Sequence, residues 1–147
     1  MVRMSKLTDY AIVLLALLAT EDAGAPHNAR EVAARAHLPF PVVSKILKAL
    51  ARAGLLVSHR GAKGGYVLAR PAEEISVAAA IRAMEGPIAL TECAAGPGHC
   101  QQETTCTIRT PWQRVNELVR DHLEQVPLTE LIGPLIAQRE RLGQELS

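Results

Sequence analysis

The residues of this 147-residue chain best suited to chemistry are three cysteines in one stretch: Cys93, Cys100 and Cys106. Six residues separate the first pair and five the second, and Gly96, Pro97 and Gly98 lie between. Glycines let a backbone fold round a centre. An odd number of cysteines cannot form a closed set of disulfides, and the stretch has too few apolar residues to bury three thiols as core. Thiolates without disulfide partners point to a metal centre. Zinc sites more often carry cysteine pairs about two to four residues apart. Wide spacing in a flexible loop suits an iron–sulfur cluster ahead of zinc, with a thiol redox switch third. A cluster also wants a fourth ligand. Arg109 cannot serve, because guanidinium stays protonated and offers no lone pair. Asp9, Glu92, His99 and Glu103 remain open, with His99 reading better as an exposed loop histidine.

Charge is the second source of chemistry. The formal net charge of +1 suggests no nucleic-acid partner until it is divided along the chain. Residues 27–70 hold eight basic side chains against one acid, Glu31, a net of +7. Residues 71–147 hold six arginines against eleven acids, a net of −5, and residues 1–26 carry −1. Such asymmetry suggests a nucleic-acid-facing half, against the plainer alternative of a solvated basic face.

The elements that must position these groups follow from punctuation and periodicity. Asn28 followed by Glu31 is a capping box for a short helix over Arg30–Ala36, and His37-Leu38 makes a tight turn. Pro39 and Pro41 forbid continuation, while Pro41 suits the first turn of a second helix that Gly54 can end in a left-handed cap. Val43, Ile46, Leu47 and Leu50 give that helix one buried face, with Ser44, Lys45, Lys48 and Arg52 opposite. This is a helix-turn-helix, whose second helix offers its polar face to a major groove. Two extended runs, Leu55–Ser58 and Tyr66–Leu68, flank the Gly-rich turn that carries Arg60 and Lys63, forming a basic hairpin wing. A phosphate loop in an enzyme would instead need a strand leading into a helix. Ser44 and Lys45 are placed to meet base edges; Lys48, Arg60 and Lys63 are placed to grip phosphates.

The remaining elements complete a mainly α fold: a winged helix-turn-helix with a small β-hairpin wing and a long C-terminal dimerisation helix. Hydrophobic residues make up 48% of the chain and aromatics only 3%, which favours helix on helix over a β-sandwich. A first helix begins near Thr8, with Tyr10, Val13, Leu14, Leu17 and Leu18 as its apolar face. Ser76 caps a helix through Met84 that ends at Gly86-Pro87. Thr110-Pro111 starts a helix to about Gln125 whose stripe of Trp112, Val115, Leu118, Val119 and Leu123 needs a partner. The same helix of a second subunit would supply it, giving a homodimer on a pseudo-palindromic duplex; the alternative is packing on its own domain. The tail, Leu128–Ser147, reads as a helix broken at Gly133-Pro134, with no chemistry assigned. Three parts result: a DNA-binding domain (1–86), a cysteine loop (87–109), and a dimerisation helix with tail (110–147). No membrane segment or signal peptide is read, so a cytoplasmic protein is expected. No Ser/His/Asp or paired-carboxylate arrangement stands out, so no enzyme is expected.

The residues also resemble a known family. Leu7-Thr8-Asp9-Tyr10-Ala11, Arg60-Gly61-Ala62-Lys63-Gly64-Gly65-Tyr66, Glu85-Gly86-Pro87, the spaced cysteines and Trp112 are similar to the winged-helix iron–sulfur transcription regulators typified by IscR and NsrR. The match runs over roughly residues 1–130. Gly86–Cys93 looks most like the branch that regulates SUF-type iron–sulfur cluster assembly genes. The resemblance implies a homodimer whose loop cysteines bind a cluster that controls operator binding. Where the IscR pattern has a histidine three residues beyond its last cysteine, this chain has Arg109. The NsrR pattern uses an aspartate early in the first helix, donated by the opposite subunit, and Asp9 matches it. Through that resemblance Asp9 becomes the expected fourth ligand, with 4Fe–4S favoured over 2Fe–2S. A nitric oxide or redox-sensing repressor of the same family is the alternative. A zinc-binding or cluster-carrying protein without regulatory role is the alternative from another class.

Overall fold

The computed structural model describes residues 3–20 and 24–145 of the chain. Helix α1 spans Lys6–Thr20 and starts two residues before the expected Thr8, because Ser5 caps it. The Ser5 hydroxyl accepts from the Thr8 N–H at 3.2 Å, and its carbonyl accepts from the Asp9 N–H at 3.2 Å. The expected apolar face of α1 needs correcting. Val13 is exposed and Tyr10 and Leu17 are half-buried, whereas Ala11, Leu14, Leu15, Ala16 and Leu18 are buried. The reason is that α1 is apolar nearly all round, so its periodicity carries little information about which side faces inward. It packs against the helices over 29–36, 40–52, 77–85 and 128–145 and the strand over 65–68, which leaves Val13 exposed one turn from the exposed Asp9.

Helices α2 (Ala29–Ala36) and α3 (Phe40–Arg52) follow the expected punctuation. The Asn28 side chain accepts from the Glu31 N–H at 2.9 Å, which satisfies one of the orphan donors of the first turn. His37 closes α2 in the left-handed region, φ 54°. At the end of α3, Gly54 takes φ 82° while its N–H and that of Leu55 reach back to Ala51 and Leu50, a Schellman closure. Strands β1 (Leu56–His59) and β2 (Gly65–Leu68) pair antiparallel, Leu56 opposite Leu68 and His59 opposite Gly65. A 3-10 turn, Ala72–Glu74, leads into α4 (Val77–Glu85), whose Ser76 cap accepts from the Ala79 N–H at 3.0 Å.

The loop after α4 contains a short helix, α5 (Glu92–Ala95), and leads to α6 (Arg109–Gln125). Helix α7 spans Leu128–Glu145 with Pro134 inside it, so the expected break at Gly133-Pro134 does not occur. A proline within a helix forfeits one backbone bond, here to the Glu130 carbonyl. The first turns of α7 are held elsewhere: the Leu128 N–H donates to Ile75 at 2.7 Å, and Leu128 and Ile132 are buried in the main core. That core joins α1, α2, α3 and the 3-10 turn to the start of α7. The architecture is a mainly helical winged helix-turn-helix with a two-stranded wing and a long C-terminal helical segment.

Candidate nucleic-acid interface and cysteine loop

Burial of Val43, Ile46, Leu47 and Leu50 fixes the roll of α3. Lys45, Lys48 and Arg52 therefore point outward and Ser44 is half-buried at the edge. The wing presents Arg60 and Lys63, both exposed, at its tip. Among the described residues no acidic side chain pairs with Lys45, Lys48, Arg60 or Lys63. Glu31, the only acid of residues 27–70, lies 3.7 Å from Nδ1 of His27, which precedes the Asn28 cap, and 3.5 Å from Arg35 one turn along α2. The result is an uncompensated positive surface that runs from the second helix of the motif to the wing.

Two glycines make the wing possible, for different reasons. A Cβ at Gly64 would stand 2.3 Å from the His59 carbonyl oxygen, inside the turn itself. A Cβ at Gly65 would stand 2.4 Å from the His27 backbone, because His27 adds a short third edge to the hairpin. The His27 N–H donates to the Tyr66 carbonyl at 3.1 Å, and the Tyr66 N–H donates back at 2.8 Å. The wing is thereby bolted to the residue that precedes the Asn28 cap. Sequence reasoning missed this bridge; the Gly64-Gly65 pair was its signal.

A second contact lies at the start of α3. The Arg30 guanidinium sits over the Phe40 ring, 4.6 Å from its centroid, and both residues are exposed. Charge and periodicity single out neither residue, although Phe40 is the only phenylalanine in the chain.

The cysteine loop is held at both ends by polar groups. Asn116 on α6 is buried, and its amide accepts from the Leu90 N–H at 2.8 Å and donates to the Ile88 carbonyl at 3.0 Å. Glu103 accepts from the Gly98 N–H at 2.7 Å and from Arg109 Nη2 at 2.8 Å. Thus Arg109 is a clasp on Glu103, and Glu103 is occupied with backbone and guanidinium. His99 is exposed. Cys93, Cys100 and Cys106 are free and half-buried, with Thr91 Oγ1 3.0 Å from Cys93 Sγ. Among the described residues no three His, Cys, Asp or Glu side chains stand close enough to hold a metal ion. The cysteines share one loop without being gathered into a site. The exposed Asp9 carboxylate, in the first turn of α1, is not brought to them within the chain.

The chemistry of this donor set nevertheless fits a soft metal centre: three free thiols on a loop whose Gly96 and Gly98 take φ 147° and 79°. The set also falls one ligand short of four. Helix α6 is similarly incomplete. Trp112, Val115 and Leu118 are 41%, 42% and 64% exposed, while Val119 and Leu123 are half-buried. Its inner side is tied to α4, where Arg82 pairs with Glu124, and Ser76 donates to Glu124 at 3.1 Å. Among the described residues no helix is long and apolar enough to cross a membrane.

Comparison with known proteins supplies a family. Residues 4–134 match the model of the Rrf2 family, described as iron-dependent transcriptional regulators. The chain is 32% identical over 131 residues to a helix-turn-helix-type transcriptional regulator of Mycobacterium tuberculosis, covering 89% of this chain and 81% of that protein. It is 29% identical to IscR of Vibrio vulnificus over 84% of this chain and 73% of the relative. Among solved structures it resembles CymR, the global cysteine regulator of B. subtilis, with TM-score 0.69, 27% identity, and coverage of 90% and 98%. It also resembles IscR of T. potens, with TM-score 0.65, 25% identity, and coverage of 91% and 88%.

Proposed function

The chain belongs to the Rrf2 family of transcriptional regulators and is not an enzyme, and from that premise we propose that it is a homodimeric DNA-binding protein whose operator affinity is set by an iron–sulfur cluster. The observation that carries the reading is a set of exposed cations on the second helix and wing, Lys45, Lys48, Arg60 and Lys63, with no acidic partner among the described residues, in the same chain as a three-cysteine loop. Helix α3 enters a major groove with Ser44 and Lys45 toward base edges, and Lys48, Arg60 and Lys63 bind phosphates. The stripe of Trp112, Val115 and Leu118 on α6 meets its own copy, so the duplex is pseudo-palindromic. The chain is thereby divided by role, with DNA binding in 1–86, cluster binding in 87–109, and dimerisation and tail in 110–147. The cytoplasm is where such a protein works.

Cys93, Cys100 and Cys106 would hold the cluster, with Asp9 of the partner subunit as fourth ligand and 4Fe–4S favoured over 2Fe–2S. A bound cluster supplies a bond between protomers that oxidant, nitric oxide or iron shortage removes. The chain's own side chains pass that change on. Asn116 ties the cysteine loop to α6, and Glu85 accepts from the Ser5 N–H at 2.7 Å, which ties the start of α1 to the end of α4. A loop held or released therefore biases the spacing of the two α3 helices. The genes controlled are those of SUF-type cluster assembly; a nitric oxide or redox-sensing repressor is the other reading within the family. Direct thiol sensing has one supporting observation: CymR of Staphylococcus aureus, 29% identical with TM-score 0.63, has been solved in an oxidised form.

Anaerobic reconstitution with iron and sulfide tests the cofactor. A brown protein with charge-transfer absorption is expected, lost in Cys106→Ser. A colourless product binding stoichiometric zinc would sink the cluster reading. For Asp9, the Asp9→Ala protein should lose or destabilise the cluster; an unchanged spectrum and lifetime would reject it as ligand. For DNA, Lys45→Ala with Arg60→Ala should weaken duplex binding in a salt-controlled titration and lower its salt slope by about two, one Arg60–phosphate contact from each protomer of the dimer. An unchanged titration would contradict the assigned interface.

A further inference from the structure

Phe40 stands outside the hydrophobic core. It is the first residue of α3, is 38% exposed, and is the only phenylalanine in a chain with 3% aromatic residues. Four-residue steps put Phe40, Ser44 and Lys48 along one ridge of α3, and Ser44 and Lys48 are two of the residues assigned to DNA. The ring is held in place from outside the helix by the Arg30 guanidinium of α2, 4.6 Å from its centroid. A cation held over one face of a ring restricts its rotation and leaves the edge and the other face to meet a ligand. Arg30 is itself exposed, and no acidic partner of it is found among the described residues.

We propose that Phe40 is a specificity-determining residue that reads a thymine methyl group in the major groove, and that Arg30, stacked on it, binds the adjoining phosphate. This rests on the DNA-binding reading above and adds a base preference that the polar residues of α3 do not supply. Three physical points carry it. The N-terminal residues of a recognition helix are the ones that reach base edges. The thymine C5 methyl is the apolar feature of the major groove that an exposed phenylalanine can cover. An arginine that is stacked on a ring has already lost much of its rotamer freedom, so its phosphate contact costs less ordering.

The test uses the full chain, purified anaerobically, and duplexes selected by it from a randomised library. Each thymine of the selected half-site is replaced in turn by deoxyuridine, which deletes only the methyl. For the unmodified protein one replacement per half-site should weaken binding about three- to fivefold, the worth of one buried methyl. Phe40→Ala should bind the parent duplex more weakly and lose that discrimination, while Phe40→Leu should retain part of it. Arg30→Ala should keep some discrimination and reduce the salt slope by about two, one phosphate contact from each protomer of the bound dimer. Circular dichroism of each variant checks the fold. If every deoxyuridine is neutral, or if the same replacement costs the unmodified protein and Phe40→Ala equally, the assignment is wrong. If no duplex is enriched at all, the DNA-binding reading itself fails, and this assignment with it.

Discussion

The two halves of the molecule are built on different principles. From α1 to α4 each helix contributes side chains to a closed core, completed by Leu128 and Ile132 from α7. From residue 87 to residue 125 the only buried residue is Asn116, and it is polar. The first region is folded by its own apolar side chains. The second is held by an amide, two ion pairs and backbone hydrogen bonds, with half-buried free thiols and an apolar helix stripe open to solvent. Under the proposed division of roles, a DNA-reading part must keep its shape whereas a sensing part must have two arrangements close in energy, and burial is the quantity that separates the two regions.

Substitutions in each region test that contrast. The largest effect on stability belongs to the first region: Leu47→Ala in α3 empties part of the core and should cost about 2–5 kcal/mol, read as a fall in the urea midpoint. Its counterpart in the second region, Leu118→Glu, should leave the isolated protomer folded but weaken dimerisation about a hundredfold or more, measured by sedimentation equilibrium. A protomer that unfolds on that change, or a dimer that ignores it, breaks the comparison. Asn116→Ala should cost about 1–3 kcal/mol by orphaning the Leu90 N–H and the Ile88 carbonyl. Amide exchange should speed up at Leu90 while the α3 amides stay protected.

The smallest effect concerns the joint between α1 and α4. Glu85 titrates below the ordinary carboxylate range, chiefly because its carboxylate accepts from the Ser5 backbone N–H, with the Ser5 and Thr8 side chains adding to this against partial burial. A carboxyl lowered on folding contributes stability above its unfolded value, and the contribution is lost as pH falls through the folded one. Glu85→Gln should therefore lower the neutral-pH melting temperature slightly and flatten its acid dependence below the unfolded carboxylate range. Parallel acid profiles for the two proteins would show that the joint is not electrostatic.

Much of the fold is legible in the sequence because its elements are marked by residues with few alternatives. Asn28 and Ser76 cap where they must, Pro41 lies in the first turn of α3, and Gly64-Gly65 leaves room for backbone where any Cβ would collide. Legibility fails where the pattern itself is uniform. The nearly all-apolar α1 offers no reliable inward face, so periodicity puts Val13 inside when it is exposed. A proline in α7 looks terminal because the contacts that hold that helix, at Ile75 and the core, are distant in sequence. At the site, charge and periodicity point to the basic residues and spacing to the cysteines. They cannot find Asn116, the His27 bridge or the Arg30–Phe40 stack, since each depends on a tertiary neighbour.

The central claim is that the cysteine loop governs the DNA-reading half. Its most direct test is a duplex-binding titration of one preparation at fixed salt, with the cluster reconstituted and after its removal by a chelator under anaerobic conditions. The account predicts affinities at least about tenfold apart, and no such difference for Cys106→Ser. Equal affinities for the cluster-bound and cluster-free protein would contradict it.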